Sequence, residues 1–129
     1  MSIELTLLIW STTLVAVYMT VQALFYRVQH GVVHAASARD DETTPDRYSA
    51  RAERALRNLL ETYAVFVALA VATELTGRSD WLTQWGALLY FWGRWPYLPL
   101  YVFGVPFLRS AVWLATAAGL VMMFIGIAF

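Results

Sequence analysis

The sequence contains no cysteine and no lysine among its 129 residues. The absence of cysteine excludes disulfides, thiolate metal sites and a cysteine nucleophile, so any thiol chemistry must use a thiol from another molecule. Because lysine is absent, every basic side chain except the two histidines is arginine. Arginine keeps its charge when partly buried and binds carboxylates through a planar fork. The formal net charge is zero, so nothing in the charge favours nucleic acid as a partner.

Charged residues are scarce and apolar residues are abundant. Hydrophobic side chains make up 60% of the chain and charged side chains 14%, and the mean hydropathy is +0.56. Soluble domains are usually about 45–50% apolar. We therefore predict a single all-α integral membrane domain over residues 1–129, whose surroundings are mostly lipid and whose partners include membrane lipids.

Four long apolar segments are separated by polar or proline-containing connections. They cover about residues 4–28, 51–75, 81–95 and 106–129, and a membrane-spanning helix needs about 20 residues. The pattern predicts an antiparallel bundle of four transmembrane helices joined by short connections. The third helix is expected to be capped by Ser79 or Asp80 and to end near Pro96. The first segment lacks the basic start and the cleavage site of a signal peptide.

The arginines predict the orientation of the chain in the membrane. The connection between the first two helices, with its flanks, carries six arginines: Arg27, Arg39, Arg47, Arg51, Arg54 and Arg57. The connection between the last two helices is flanked by Arg94 and Arg109. The opposite side of the predicted bundle has only Arg78. Because cytoplasmic loops carry an excess of arginine and lysine, we expect both arginine-rich loops to be cytoplasmic. Both termini then lie outside.

A stripe of polar residues runs along the second helix. Its members are Arg51, Arg54, Arg57, Asn58 and Glu61, and at 100° per residue they share an arc of roughly 120°. A carboxylate at the membrane edge costs several kcal/mol unless it is paired. Three interpretations remain open, namely an ion-pair knot that fixes helix packing, anchoring by positive charge, and a site for an anionic ligand with several carboxylates.

The fourth helix begins with an arginine and a serine close to its N-terminus. Helix N-termini favour anions, and Arg109 adds a full positive charge while Ser110 adds a hydroxyl. This environment suits a thiolate or another developing anion. In the alternative interpretation, Arg109 extends to a lipid phosphate.

These motifs together resemble a known family. The stretch "RAERALRNLLE" before an apolar span, and "GRWPYLPLYVFGVPFLRS" opening the last helix, resemble the MAPEG family, the membrane-associated proteins in eicosanoid and glutathione metabolism. The likeness is to its leukotriene C4 synthase branch and to its microsomal glutathione transferase and prostaglandin E synthase branch. It implies a homotrimer that binds glutathione between protomers, with a lipophilic acceptor from the bilayer. The chain has the character of the small bacterial members, which implies the bacterial inner membrane and a role in detoxification.

The resemblance also implies roles for individual residues. The glutathione-binding residues implied are Arg27, Arg51, Arg54, Arg57, Asn58, Glu61, Tyr97 and Tyr101, with Glu61 on the amino group and the arginines on the carboxylates. Arg109 matches an arginine that activates the thiolate, and Ser110 matches a serine of the prostaglandin E synthase branch. Two positions depart from the family, because Thr62 and Trp113 stand where tyrosines occur in one branch or the other.

Three functions compete. The leading hypothesis is a membrane glutathione transferase or peroxidase, and the second is a glutathione- or lipid-binding protein of the same fold without turnover. A small four-helix exporter is disfavoured because such proteins typically need an acidic residue in the middle of the first span, where this chain has only Glu4 at the edge. His30 and His34 are spaced to share a metal, but no further ligand completes that site, so no metal is expected. The acidic stretch "DDETTPD" is expected to be a solvated loop.

Overall fold

The computed structural model describes residues 1–31, 35 and 46–129. Within that part all regular structure is helical, in four helices: α1 Ile3–His30, α2 Arg47–Thr76, α3 Trp81–Val102 and α4 Pro106–Ala128. Within the described residues, the prediction of an all-α fold with four long helices is confirmed. By length and composition α1, α2 and α4 are able to cross a membrane. The 22 residues of α3 extend over roughly 33 Å.

The starts of the helices follow from side-chain caps. Asp80 Oδ1 accepts hydrogen bonds from the backbone N–H groups of Leu82 and Thr83, both at 3.0 Å. The Thr83 hydroxyl accepts in return from Asp80 N at 3.0 Å, which completes a capping box. Asp80 is therefore the cap of α3, as predicted. Asp46 caps α2 in the same way, through Ser49 N at 2.8 Å, and this cap starts α2 four residues before the predicted residue 51.

The predicted end of the third helix near Pro96 is wrong. The structure continues α3 through Pro96 and Pro99 to Val102. Each proline removes one N–H donor, but the turns around them stay helical and Phe103 N still donates to Pro99 O at 3.0 Å. The chain turns only at Gly104, whose φ of 71° lies in the left-handed region. As a consequence, the segment expected to be a connection is the last part of a helix.

Glycines bring α3 and α4 into close contact. A Cβ atom added to Gly119 would lie 2.5 Å from Gly86 O, and one added to Gly126 would lie 2.5 Å from Thr83 Cγ2. Gly93 is equally close to Thr116. Small residues commonly allow such close approach between membrane helices.

Hydrogen bonds identify which helix ends are neighbours. Ser2 N donates to Glu74 Oε2 at 2.9 Å, so the start of α1 lies beside the end of α2. Arg78, between α2 and α3, donates from Nη1 to Ile127 O at 2.9 Å, near the end of α4. Between the ends of the helices the core is apolar and aromatic. All four helices contribute fully buried side chains to it: Leu14, Tyr18, Leu59, Phe66, Tyr90 and Met123.

Candidate functional site

A cavity of about 400 Å³ opens where α2, α3 and α4 meet. Its lining residues are Asn58, Tyr97, Tyr101, Arg109, Ser110, Trp113 and Leu114. The volume lies within the range of small-molecule sites, about 300–1,000 Å³. The structure therefore brings together five of the residues that the sequence and the resemblance single out, from three separate helices.

A second cavity of about 200 Å³ adjoins the first and shares Asn58 and Tyr101 with it. The rest of its lining is Arg54, Arg57 and Glu61, and these three side chains are exposed. Four of the five residues of the predicted polar stripe thus face one opening. We call the two cavities together the arginine cleft.

The aromatic wall of the cleft follows from the continuation of α3. Tyr97 and Tyr101 are spaced i, i+4 and therefore lie on one face of the helix. Their rings meet edge to face, with centroids 5.7 Å apart and an interplanar angle of 64°, an arrangement that aromatic pairs prefer. Tyr97 is buried and Tyr101 is half-buried.

Arg109 is held against this wall. Its Cζ atom lies 4.5 Å from the centroid of the Tyr101 ring, within the range of a cation–π contact. The side chain is half-buried and stands in the first turn of α4, which begins at Pro106 without a side-chain cap. A full positive charge in the first turn of an uncapped helix therefore lines the cavity, where an anion would be stabilised.

The Ser110 hydroxyl is already engaged. It donates to the backbone carbonyl of Pro106 at 3.2 Å, which is a common bond for a serine within a helix. To donate to a ligand in the cleft, the hydroxyl would have to break this bond. Trp113, one turn further along α4, lines the cavity between the serine and the apolar part of the helix.

Glu61 has no ionic partner within the described part of the chain. No ion pair or hydrogen bond joins it to Arg54, Arg57 or Arg109, although it lines the same cleft as all three. An ion-pair knot that fixes helix packing is therefore not formed within these residues of a single copy. The carboxylate remains accessible to a ligand or to a neighbouring molecule.

Arg94 is a part of the site that the sequence reasoning did not select. It is only 1% exposed and reaches from α3 to α2, where Nη1 donates to Asn58 Oδ1 at 2.8 Å and Nη2 donates to Thr62 Oγ1 at 3.1 Å. Its Cζ atom lies 4.8 Å from the Tyr97 ring centroid and 5.5 Å from that of Tyr90. Two residues that line the cleft, Asn58 and Tyr97, are therefore held from behind by one guanidinium group.

The buried guanidinium of Arg94 is stabilised by hydrogen bonds to neutral side chains. No described carboxylate pairs with it, and its Nε atom has no hydrogen-bond partner among the described residues. The Thr62 hydroxyl bonds in turn to the Tyr90 hydroxyl at 2.9 Å. One signal in the sequence points to Arg94, because it is the only charged residue of α3 and an ionisable residue inside a membrane helix is a candidate for function.

Arg51 and Arg27 lie elsewhere. Arg51 Nη1 donates to Val102 O at 3.1 Å, and its guanidinium covers the turn at Gly104, where an added Cβ would lie 2.9 Å from Nη1. Arg51 thereby fastens α2 to the end of α3. Arg27 is exposed in the last turn of α1, and the two cavities of the cleft are lined by other residues.

The two motifs judged unimportant fall partly outside the described residues. His34 and positions 40–45 of the acidic stretch are not described. His30 packs its ring on that of Tyr26 with centroids 4.4 Å apart. Among the described residues, no group of three or more histidine, aspartate or glutamate side chains is placed to hold a metal ion.

Comparison with known proteins identifies the family. The sequence model of the MAPEG family matches residues 5–129, which is essentially the whole chain. No curated protein and no solved structure matches the chain. The chain therefore belongs to the MAPEG family.

Proposed function

We propose that this MAPEG protein is a membrane glutathione transferase or peroxidase that binds glutathione in the arginine cleft. The observation that carries the proposal is the meeting of Arg109 with Tyr97, Tyr101 and Asn58 in one cavity. The adjoining cavity adds the arginines and the carboxylate that a zwitterionic tripeptide needs. Membership of the family supports glutathione as the co-substrate, and no metal takes part in the proposed mechanism.

The chemistry is an activation of the glutathione thiol beside Arg109. The cation and the N-terminus of α4 favour the thiolate, because a neighbouring positive charge lowers the pKa of a thiol. The thiol proton passes to water. The sulfur then forms a bond to an electrophilic carbon of a lipophilic acceptor, and the leaving group departs with its electron pair. With a hydroperoxide, the thiolate sulfur attacks the terminal oxygen, the O–O bond breaks, and the alkoxide departs with the electron pair and takes a proton from water to give an alcohol. The glutathione sulfenic acid so formed reacts with the thiol of a second glutathione, which gives glutathione disulfide and water.

The acceptor would arrive from the bilayer. An apolar groove of about 460 Å³ runs between α3 and α4 and is lined by tryptophans, leucines and small residues: Trp85, Leu88, Leu89, Trp92, Gly93, Pro96, Val112 and Ala115. In a membrane this groove faces lipid. A lipophilic molecule held there lies on the same pair of helices as Tyr97 and Arg109.

We further propose that the protein is a homotrimer of antiparallel four-helix bundles. Arg54, Arg57 and Glu61 are exposed on a helix that is able to cross a membrane, and charged groups facing lipid are costly. A neighbouring copy would cover them. Native mass spectrometry in a mild detergent tests this assembly, and a monomer that retains glutathione binding would contradict it.

The orientation is proposed to be that of the positive-inside rule in a bacterial inner membrane, with both termini outside. The absence of cysteine makes single-cysteine labelling direct. Phe103, which is 70% exposed in the α3–α4 turn, and Phe129, which is 91% exposed at the C-terminus, form a matched pair. A membrane-impermeant reagent should label Phe129→Cys in intact spheroplasts and should label Phe103→Cys only after lysis. The reverse pattern would invert the topology.

A binding protein without turnover is the alternative function. The observation that favours it is the engaged Ser110 hydroxyl, which leaves Arg109 as the main group facing a thiolate. Calorimetric titration of the detergent-purified protein with glutathione tests the proposed ligand. A subsequent assay with an aryl halide and with a lipid hydroperoxide separates the two functions, because the binding protein would take up glutathione and turn over neither acceptor.

A further inference from the structure

The buried contact between Arg94 and Asn58 determines what the arginine cleft offers to a ligand. A guanidinium group has only donors, so the atom of Asn58 that lies 2.8 Å from Arg94 Nη1 must be the carbonyl oxygen. The orientation of the amide is therefore fixed by chemistry. The NH₂ group of Asn58 is turned the other way.

That NH₂ group is accessible from the cleft. Asn58 lines both cavities, and no described residue accepts a hydrogen bond from its Nδ2 atom. The atom is also not among the buried polar atoms that lack a partner. The Nδ2 atom is therefore accessible, on a residue that lines the cleft beside Arg54 and Arg57, while the carbonyl oxygen is engaged by Arg94.

We infer that Arg94 is a positioning residue that orients the Asn58 amide as a donor, so that the cleft selects a ligand with an acceptor oxygen, such as a carboxylate, at this point. The inference rests on the proposed function for the identity of the ligand, but not for the orientation of the amide. It also explains why a buried cation is retained without a carboxylate partner. An aspartate or glutamate opposite Arg94 would balance the charge but would remove the donor.

The orientation has a test that requires no ligand. Asn58 is the only asparagine of the chain, so labelling with side-chain ¹⁵N-asparagine produces a single NH₂ signal in the nuclear magnetic resonance spectrum of the detergent-solubilised protein. If the group faces the water-filled cleft, its protons should exchange rapidly with water. In the Arg94→Lys variant the single ammonium cannot hold Asn58 and Thr62 together, so the signal should shift and broaden. Protons that are protected from exchange in the wild type would overturn the inference.

The proposed selection of a ligand with an acceptor oxygen is tested by measuring glutathione affinity. Asn58→Asp keeps the acceptor for Arg94 and nearly the same shape, but it loses the NH₂ donor and adds a negative charge. Its affinity for glutathione should fall by about tenfold to hundredfold, as expected for the loss of a hydrogen bond to a charged group. Its melting temperature should be unchanged or higher, because the buried cation gains a partner. Unchanged affinity would overturn the selection of an acceptor oxygen.

Thr83→Val is the matched structural control. It removes a buried hydroxyl that bonds across helices at the other end of the molecule, so it should lower the melting temperature and leave glutathione affinity intact. If Thr83→Val and Asn58→Asp both lose affinity in proportion to stability, Arg94 has only a structural role. If the wild type fails to bind glutathione, the proposed function is wrong, while the exchange measurement still decides the orientation of the amide.

Discussion

The molecule contains two buried polar networks, and they are built from opposite charges. Near one end Arg94 donates to the neutral side chains of Asn58 and Thr62. Near the other end the fully buried carboxylate of Glu4 accepts from Ser79 at 2.9 Å and from Thr83 at 2.6 Å. Both networks join helices that are far apart in sequence, and both place an ionisable group where burial is costly unless hydrogen bonds compensate it.

The difference lies in how completely each network is satisfied. Both Glu4 oxygens accept hydrogen bonds, and the carboxylate lies beside the start of α3, where a helix favours negative charge. Around Arg94 one nitrogen lacks a partner among the described residues, and Asn58 keeps its NH₂ group open to a cavity. We call the Glu4 network closed and the Arg94 network open. A closed network stabilises helix packing. An open one also leaves bonding capacity for a ligand, so the two should respond to mutation in different ways.

The largest effect is expected at Arg109, next to the open network. Arg109→Ala should lower turnover at neutral pH by about 10²–10³-fold, the loss typical of removing one group that stabilises a developing anion. The pKa of the bound thiol should rise, because the cation that favours the thiolate is gone. The ultraviolet absorbance of the bound thiolate, followed against pH in both proteins, measures this directly.

Arg109→Lys is the control for this effect. It keeps the charge without the planar fork, so it should restore part of the turnover. Titration curves that coincide for wild type and Arg109→Ala, when both bind glutathione, would contradict the role of Arg109 in activation.

A smaller effect is expected at Glu61. Glu61→Gln keeps the size of the side chain and removes the charge proposed to meet the ammonium group of glutathione. Affinity should fall about tenfold to hundredfold, or ~1.5–3 kcal/mol, with little change in melting temperature, because Glu61 has no described ionic partner to lose. Glu74→Gln, near the C-terminal end of the same helix, should bind glutathione as the wild type does.

The closed network predicts an effect on stability alone. Glu4→Gln replaces an oxygen that accepts from buried hydroxyls with an NH₂ group, which should cost about 1–3 kcal/mol. The melting temperature of the detergent-purified protein should fall, while glutathione affinity at a temperature well below unfolding should stay constant. A loss of affinity without a loss of stability would remove the distinction between the two networks.

The smallest effect is expected at Arg51, and Arg54 is its matched partner one turn away. Arg51→Gln loses one hydrogen bond to the end of α3, which should cost about 0.5–1.5 kcal/mol and leave affinity nearly unchanged. Arg54→Gln should instead lower glutathione affinity and leave stability nearly unchanged, since Arg54 is exposed and lines the cleft. If Arg51→Gln loses more affinity than Arg54→Gln, the arginine that covers Gly104 also reaches the ligand.

Periodicity predicted the helices well because it depends on neighbours along the chain. The predicted start of α4, at about residue 106, agrees with the structure, where Pro106 opens the helix and is a local signal for a helix start. A proline was also taken as the end of α3, near Pro96, and there the prediction failed. The helix continues beside its close contact with α4 at Gly93, and this contact cannot be seen from the proline alone.

The part of the candidate site on α2 was predicted because it also depends on spacing along the chain. The spacing of Arg54, Asn58 and Glu61 on α2 places them on one face, and the structure lines one cleft with all three. Arg94 was missed because its partners lie 36 and 32 positions away. In the sequence it is one arginine at the flank of an apolar segment. Only the approach of α3 to α2 makes it the group that holds Asn58.

The glycine contacts between α3 and α4 also restrict how the cleft can open. Because α3 and α4 leave no room for a side chain at Gly86, Gly93, Gly119 and Gly126, the two helices have little freedom to slide or separate, since close-packed interfaces resist deformation. The aromatic wall and Arg109 therefore move together as one rigid unit. The other side of the cleft is formed by α2, so an opening that admits a tripeptide must be a displacement of α2 relative to α3 and α4.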